Sequence, residues 1–140
     1  MPYILNIDQK KIGNAWSKYV NAKTGIKHFG GIPNTGKAAV YPYGNFRIIG
    51  RPTNSSDLEN NEDSVDLTVQ TDIMVSDSGA NNNVENVLYS GDNACAEFFN
   101  SLGFKRFGDS PVTYNTSTGV KTITSRFIFR NFTGQFLKEI

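Results

Sequence analysis

The sequence predicts an α+β domain: an antiparallel or mixed sheet of about four strands with two main helices packed on one face. Three observations lead to this prediction. Residues 84–102 repeat apolar side chains at helical spacing, residues 64–76 alternate apolar and polar side chains, and residues 120–132 read as a long aromatic strand. A chain of 140 residues is the size of one domain, so we expect a single domain over residues 1–140.

A short first helix is predicted for residues 8–20, because Ile12, Trp16, Tyr19 and Val20 share one face at helical spacing. Gly25 can end the turn that follows. Residues 25–36 are rich in glycine and are predicted to form a loop.

This loop includes most of a phosphate-binding motif, Gly31-Ile-Pro-Asn-Thr-Gly-Lys-Ala. Ala38 stands where the motif needs a hydroxyl group to ligate magnesium, and no hydrophobic strand precedes Gly31. We therefore predict no nucleotide cofactor.

Residues 38–50 supply bulky aromatic and branched side chains and are predicted to be extended. Pro42 and Gly44 interrupt the run, which predicts an edge strand or a bulge. Residues 51–63 are too polar to bury and too long for a tight turn, so we predict a polar arm or loop there.

The clearest strand pattern lies at residues 64–76, where period two predicts one buried face and one polar face. The core-facing residues of this strand are Val65, Leu67, Val69, Thr71, Ile73 and Val75. Asp66 and Asp72 lie on the polar face.

The main helix follows, and its apolar stripe consists of Val84, Leu88, Gly91, Cys95, Phe98 and Leu102. Gly103 stands where a left-handed cap favours glycine. We interpret Cys95 as a small buried hydrophobe, since the single histidine, His28, is too distant in sequence to suggest a nucleophile–base pair.

A short strand at residues 111–114 and a long strand at residues 120–132 are predicted to form a hairpin. Arg126 and Arg130 share the face of the long strand opposite its aromatic side chains. We expect residues 134–140 to form a flexible tail.

Composition excludes several classes of function. Fourteen Lys and Arg against thirteen Asp and Glu give a net charge of +1, so no field of one sign attracts nucleic acid or anionic membrane broadly. Asp66 and Asp72 are about 20 Å apart on their strand, which is too far for both carboxylates to coordinate one metal ion. With one Cys and one His, the chain predicts no metal site, no catalytic residues and no enzyme activity.

No apolar run approaches the length of a membrane helix, and no secretory signal is visible, so we expect a cytoplasmic protein without a membrane partner.

The charged strand residues have two interpretations. If the two strands pair, Asp66 and Asp72 can form cross-strand ion pairs with Arg126 and Arg130, which is the favoured interpretation. If they do not pair, these residues are complementary patches for a neighbouring subunit.

The order of these elements resembles the tail-terminator or tail-completion proteins of long-tailed bacteriophages, also described as minor capsid or minor tail proteins. The resemblance covers about residues 37–135. It rests on four successive segments: Tyr41-Pro-Tyr-Gly-Asn-Phe-Arg-Ile-Ile-Gly-Arg-Pro-Thr-Asn, Val65-Asp-Leu-Thr-Val-Gln-Thr-Asp-Ile-Met-Val, Phe98-Phe-Asn-Ser-Leu-Gly-Phe-Lys-Arg and Thr124-Ser-Arg-Phe-Ile-Phe-Arg-Asn-Phe-Thr-Gly-Gln-Phe.

The resemblance implies a structural virion subunit that closes into a ring, typically of six copies. The ring caps the tail tube, ends tail polymerisation and joins the tail to the head or neck. Its implied partners are further copies of the chain, the tail-tube protein and a head or neck connector. DNA can pass through the ring without sequence-specific recognition. The implied location is the tail or neck of a virion or phage-tail-like particle, assembled in the host cytoplasm.

A ring needs contacts between two different faces of the subunit. The polar arm and the charged strand residues are the predicted contacts, and they are Arg51, Asn54, Asp57, Asp66, Asp72, Arg126 and Arg130. Two alternatives stay open: a head–tail connector or other neck ring, and a small carbohydrate- or ligand-binding domain. The second would use exposed aromatic side chains such as Tyr41, Tyr43 and Tyr114.

Overall fold

The computed structural model describes residues 9–26, 28–30, 42–50, 53–56, 62–76, 84–117 and 119–132. Within these ranges the elements are, in order, α1 (Gln9–Thr24), β1 (His28–Gly30), β2 (Tyr43–Gly50), β3 (Thr53–Ser56), β4 (Glu62–Ser76), α2 (Val84–Ser101), β5 (Lys105–Arg106), β6 (Val112–Asn115) and β7 (Val120–Phe132). The predicted α+β class is confirmed.

One sheet contains all the described strands, in the order β1-β2-β4-β7-β5. β1 is parallel to β2, and the other pairs are antiparallel. β3 pairs with β4 beyond the end of β2, and β6 pairs with β7 beyond β5. β4 and β7 are therefore the central pair of the sheet. β2 and β3 lie end to end along the outer side of β4, and β5 and β6 lie end to end along the outer side of β7.

The alternation predicted for β4 is confirmed. Its odd-numbered positions from Val65 to Val75 are buried, and the first three lie opposite aromatic residues of β7; Val69, for example, lies opposite Phe127. Because side chains alternate between the two faces of a strand, the even-numbered residues of β4 lie on the other face of the sheet, as do those of β7 over residues 122–128.

α2 packs on the buried face through the predicted stripe, of which Val84, Leu88, Gly91, Cys95 and Phe98 are buried. The buried surface of the helix is wider than predicted, because Asp92, Ala94 and Phe99 are buried as well. The helix ends as predicted at Gly103, which has φ = +102°. Phe104 N–H donates to Phe99 C=O over 2.9 Å, a hydrogen bond typical of a glycine-capped helix end.

Phe99 is the centre of the core. Its ring lies 5.0 to 5.8 Å, centroid to centroid, from the rings of Phe46, Phe98, Phe104 and Phe127. Aromatic pairs at this spacing, either tilted or offset, are favourable beyond the area that they bury. A single side chain thus joins β2, α2, β7 and the segment that follows α2.

α1 packs beside α2 on the same face of the sheet. Ile12, Trp16 and Val20 are buried, as predicted, whereas Tyr19 is only partly buried against the core. The Trp16 indole N–H donates to Cys95 Sγ over 3.2 Å. The helix continues to Thr24, four residues past its predicted end. Gly25, at φ = +76°, terminates it through a hydrogen bond from its N–H to Asn21 C=O.

Two predictions about the strands need correction. Residues 28–30 form β1 instead of loop, because the backbone pairs with β2 without needing an apolar side-chain pattern. β2 is not an edge strand, since it lies between β1 and β4, but it has the predicted irregularity as a register shift, located at Ile48/Gly50 rather than at Pro42 or Gly44. Pro42 precedes the first paired residue, so its missing N–H breaks no ladder hydrogen bond.

The predicted polar arm is also more ordered than a loop, since it contains β3 and the first residues of β4. The sequence does not predict this hairpin, because its side chains are polar and show no apolar alternation. Backbone pairing at the end of a sheet does not require a buried face. The phosphate-loop-like segment at residues 31–38 and the predicted tail at residues 134–140 lie outside the described residues.

The position of Phe99 leads to a prediction about stability. We expect Phe99→Ala to lower the free energy of unfolding by about 3–5 kcal/mol, because it leaves a cavity among four aromatic rings. Tyr89→Ala on the exposed side of α2 is the matched control and should change stability by less than about 1 kcal/mol. Urea unfolding of both variants measures the difference. Equal losses would show that Phe99 is not the centre of the core.

Candidate functional site

Both helices cover the same face of the sheet, and no element among the described residues covers the other face. We call this second surface the open face. Its central residues are Asn45 and Arg47 of β2, Gln70 and Asp72 of β4, and Thr124 and Arg126 of β7. Three neighbouring strands supply these side chains, and cross-strand register places them in two rows.

A chain of hydrogen bonds connects the rows. Arg126 Nε donates to Gln70 Oε1 over 3.2 Å, and Gln70 Nε2 donates to Asp72 Oδ2 over 3.3 Å. Thr124 Oγ1 donates to Asp72 Oδ1 over 2.6 Å. Gln70 is only 5% exposed, so its amide holds Arg126 and Asp72 in fixed positions. At the centre of the open face Gln70 and Asn45 are therefore buried, Asp72 and Thr124 are half-buried, and Arg47 and Arg126 are exposed.

The predicted cross-strand interpretation of the charges is confirmed for one pair. Arg130 Nη1 lies 3.5 Å from Asp66 Oδ2, on adjacent strands. The arginine side chain is 71% exposed, so this ion pair contributes at most about 1 kcal/mol. Asp72 and Arg126 form no direct ion pair, and Gln70 bridges them instead.

The other predicted contact residues are not brought together with these. Arg51 and Asp57 lie outside the described residues. Asn54 belongs to β3, of which the backbone alone is described. Whether the polar arm contacts a partner stays a prediction.

Sequence reasoning missed two residues of the open face. Asn45 lies opposite Asp72 and is only 4% exposed, whereas Arg47 lies opposite Gln70. Arg47 is exposed and forms no hydrogen bond or ion pair with the described residues. Alternation along β2 could have placed both residues on one face, but only the register between strands shows that this face continues that of Asp72.

A second polar cluster lies on the helix side of the sheet. Asp92 of α2 is 3% exposed and accepts hydrogen bonds from the Ser125 hydroxyl and from Arg106 Nη2, the latter over 2.8 Å. The Ser110 hydroxyl lies 3.0 Å from that of Ser125, and the Arg106 guanidinium lies 5.6 Å from the centre of the Phe127 ring. The cluster fastens α2 to β5 and to the segment between β5 and β6.

The Asp92 cluster has a structural role. Ser125 is fully buried, so no substrate reaches its hydroxyl. No local sequence pattern indicates the cluster, because a carboxylate on a helix is usually exposed and its arginine partner is fourteen residues away.

Cys95 also lacks the properties of a nucleophile. Burial raises the pKa of its thiol from an ordinary 9.0 to about 12, although the hydrogen bond from Trp16 lowers it. The thiolate, which is the reactive form, is therefore scarce at neutral pH.

The described residues contain no group of three or more His, Cys, Asp or Glu side chains that could hold a metal ion. Neither described helix is long and apolar enough to span a membrane.

Tyr43 lies on the open face, whereas Tyr114 lies opposite Lys121 on the other face. These two tyrosines therefore form no common platform for a sugar ring, and Tyr41 lies outside the described residues.

A shallow depression of about 250 Å³ lies between the end of α1 and the start of α2. Its described lining consists of Thr24, Asn86, Val87 and Ser90. These side chains carry no titratable group, so this part of the lining offers no acid–base or nucleophilic chemistry.

The two Asp–Arg pairs differ in burial, and this difference leads to a prediction. Asp92→Asn should lower the free energy of unfolding by about 2–4 kcal/mol, since it leaves Arg106 without its carboxylate. Asp66→Asn removes the same charge from the exposed pair and should cost no more than about 1 kcal/mol. Thermal or urea unfolding of both variants tests this. Similar costs would show that burial does not set the strength of the Asp92 pair.

The pKa of Cys95 predicts how the protein responds to thiol reagents and to alkali. At pH 8 a thiol-reactive dye should label the folded protein far more slowly than the protein in denaturant. The folded-state pKa lies above the unfolded value, so this group's contribution to stability is present below pH 9 and is lost as pH rises towards 12. Rapid labelling of the folded protein would contradict the buried position of the thiol.

No protein-family model and no curated protein sequence matches this chain.

Proposed function

We propose that this chain is a structural subunit of a phage tail or phage-tail-like particle. Its copies close into a ring, typically of six, that caps the tail tube, ends tail polymerisation and joins the tail to the head or neck. The proposal starts from the resemblance in the order of the elements over residues 37–135.

The open face is the observation that carries the proposal. It combines a rigid network around Gln70 with exposed arginine side chains at Arg47 and Arg126. Arginine is enriched in protein–protein interfaces, where its planar fork of donors binds carboxylates and backbone carbonyls. A preorganised surface of this kind loses little side-chain entropy when a partner binds.

The hairpin of β3 and β4 supplies a second contact region. β4 pairs with β7 only from Val65 onwards. Residues 62–64 of β4 lie beyond this pairing, and β3 is the only described strand beside them. A head-to-tail ring requires contacts between two different surfaces of one subunit, and we assign the hairpin and the open face to these two contacts.

Solution mass and tube growth test the proposal together. We expect the purified chain to form a hexamer-sized ring visible by negative stain, alone or on addition of tail-tube protein, and to stop growth of the tube. A chain that stays monomeric and leaves tube growth unchanged would contradict the ring. Rings that bind the head connector but do not affect the tube would favour the neck-ring alternative.

Arg47→Glu tests the role of the open face. Because Arg47 is exposed and has no described partner, we expect the melting temperature of the variant to stay close to that of the wild type while ring formation falls at least tenfold. Asn100→Glu adds a negative charge on the exposed side of α2 and is the control, expected to assemble normally. Normal assembly of Arg47→Glu would remove the open face from the interface.

A further inference from the structure

The near-zero net charge conceals an uneven distribution. α1 contains Lys10, Lys11, Lys18 and Lys23 but no Asp or Glu, although the whole chain has nearly equal numbers of basic and acidic residues. The remainder of the chain is therefore net negative. Helix α1 is a local concentration of positive charge.

Most of these lysines lie on one side of α1, away from the core. We define the lysine stripe as Lys10, Lys11, Asn14 and Lys18. Residues four apart are neighbours on a helix surface, so Lys10, Asn14 and Lys18 follow a continuous line, opposite the buried side of the helix. Lys10 and Lys18 form no ion pair with the described residues, and they are about 12 Å apart along the axis.

Lys23 differs from the stripe because it faces α2. Its Nζ lies 3.9 Å from Glu97 Oε2, and Glu97 also accepts a hydrogen bond from the Tyr19 hydroxyl. The charge of Lys23 is thus partly balanced within the subunit.

We propose that the lysine stripe is a non-specific contact surface for the phosphate backbone of duplex nucleic acid. Lysine ammonium groups neutralise phosphates as mobile point charges, and an exposed amide side chain such as that of Asn14 donates hydrogen bonds to phosphate oxygens. Two lysines about 12 Å apart contact separate phosphates, because duplex DNA carries one charge per about 1.7 Å of its axis.

The composition of the stripe distinguishes this partner from others. A protein partner would favour aromatic, Met or Arg anchors, and lysine is depleted in such interfaces. An anionic membrane would need apolar side chains to insert, but Trp16 is buried on the other side of α1. Single strands would need exposed aromatic residues for base stacking, and the stripe has none.

This inference goes beyond the proposed ring, because a ring can cap a tube without touching nucleic acid. Its test uses the whole chain and a labelled duplex of random sequence, with fluorescence anisotropy measured from about 20 to 150 mM NaCl. We expect saturable binding at low salt, with an affinity that falls as salt rises.

The decisive variant is Lys10→Gln/Lys18→Gln, which keeps helix propensity because Gln and Lys are similar helix formers. We expect at least tenfold weaker binding at low salt and a slope of log K against log[NaCl] that is shallower by about 2. The control, Lys105→Gln/Lys121→Gln, removes one exposed charge from β5 and one from β7, where Lys121 is already paired with Glu85, and should leave that slope within about 0.5 of the wild type.

The inference is overturned if the wild type does not bind the duplex at the lowest salt, or if the salt slope of the stripe variant is unchanged. It is also overturned if the control changes the slope as much as the stripe variant does, or if the wild type binds polyglutamate or anionic vesicles more tightly than the duplex. Circular dichroism and melting of both variants verify that they fold. Ring formation and tube capping by the stripe variant are measured separately. Loss of duplex binding with normal capping would support the inference, whereas failure of capping in the wild type would affect the proposed function alone.

Discussion

β4 and β7 run antiparallel from Val65 opposite Phe132 to Ser76 opposite Val120, and every other element takes its position from this pair. β2 and β3 extend the sheet on the β4 side, while β5 and β6 extend it on the β7 side. A shift of one residue in the register would exchange the two faces of a strand. The hydrophobic core and the polar network on the open face therefore depend on the same backbone pairing.

The two Asp–Arg pairs show how position decides the role of an interaction. The Arg130 side chain is largely solvated, so its pairing with Asp66 leaves the arginine available to a partner at little cost. Asp92 is buried and is satisfied by Arg106 and a serine hydroxyl, so it fixes the end of the sheet to α2. The first pair lies on the face of the sheet away from the helices, and the second joins α2 to β5 and β7 on the helix side.

The subunit presents different surfaces on its two sides. The open face carries Arg126, held by the Gln70 amide, and the exposed Arg47, whereas the exposed side of α1 carries lysine and asparagine without aromatic residues. These compositions suit different partners, since arginine forks favour protein contacts and lysine favours repeated phosphates. In the two proposals the open face contacts neighbouring copies and the exposed side of α1 contacts a polyanion, and neither proposal requires the other.

Local patterns in the amino-acid sequence are sufficient to define the α+β class, both helices, β4, β7 and the glycine ends of the helices, because each of these has a short-range periodicity or backbone requirement. They do not define β1, β3 or β5, since such short polar segments become strands only when a neighbouring backbone offers hydrogen bonds. They identify the charges of Asp66 and Arg130, but the network through Gln70 depends on register between strands. The Asp92 cluster and the position of Arg47 beside Gln70 arise from tertiary structure, because they join residues whose separation in sequence carries no signal.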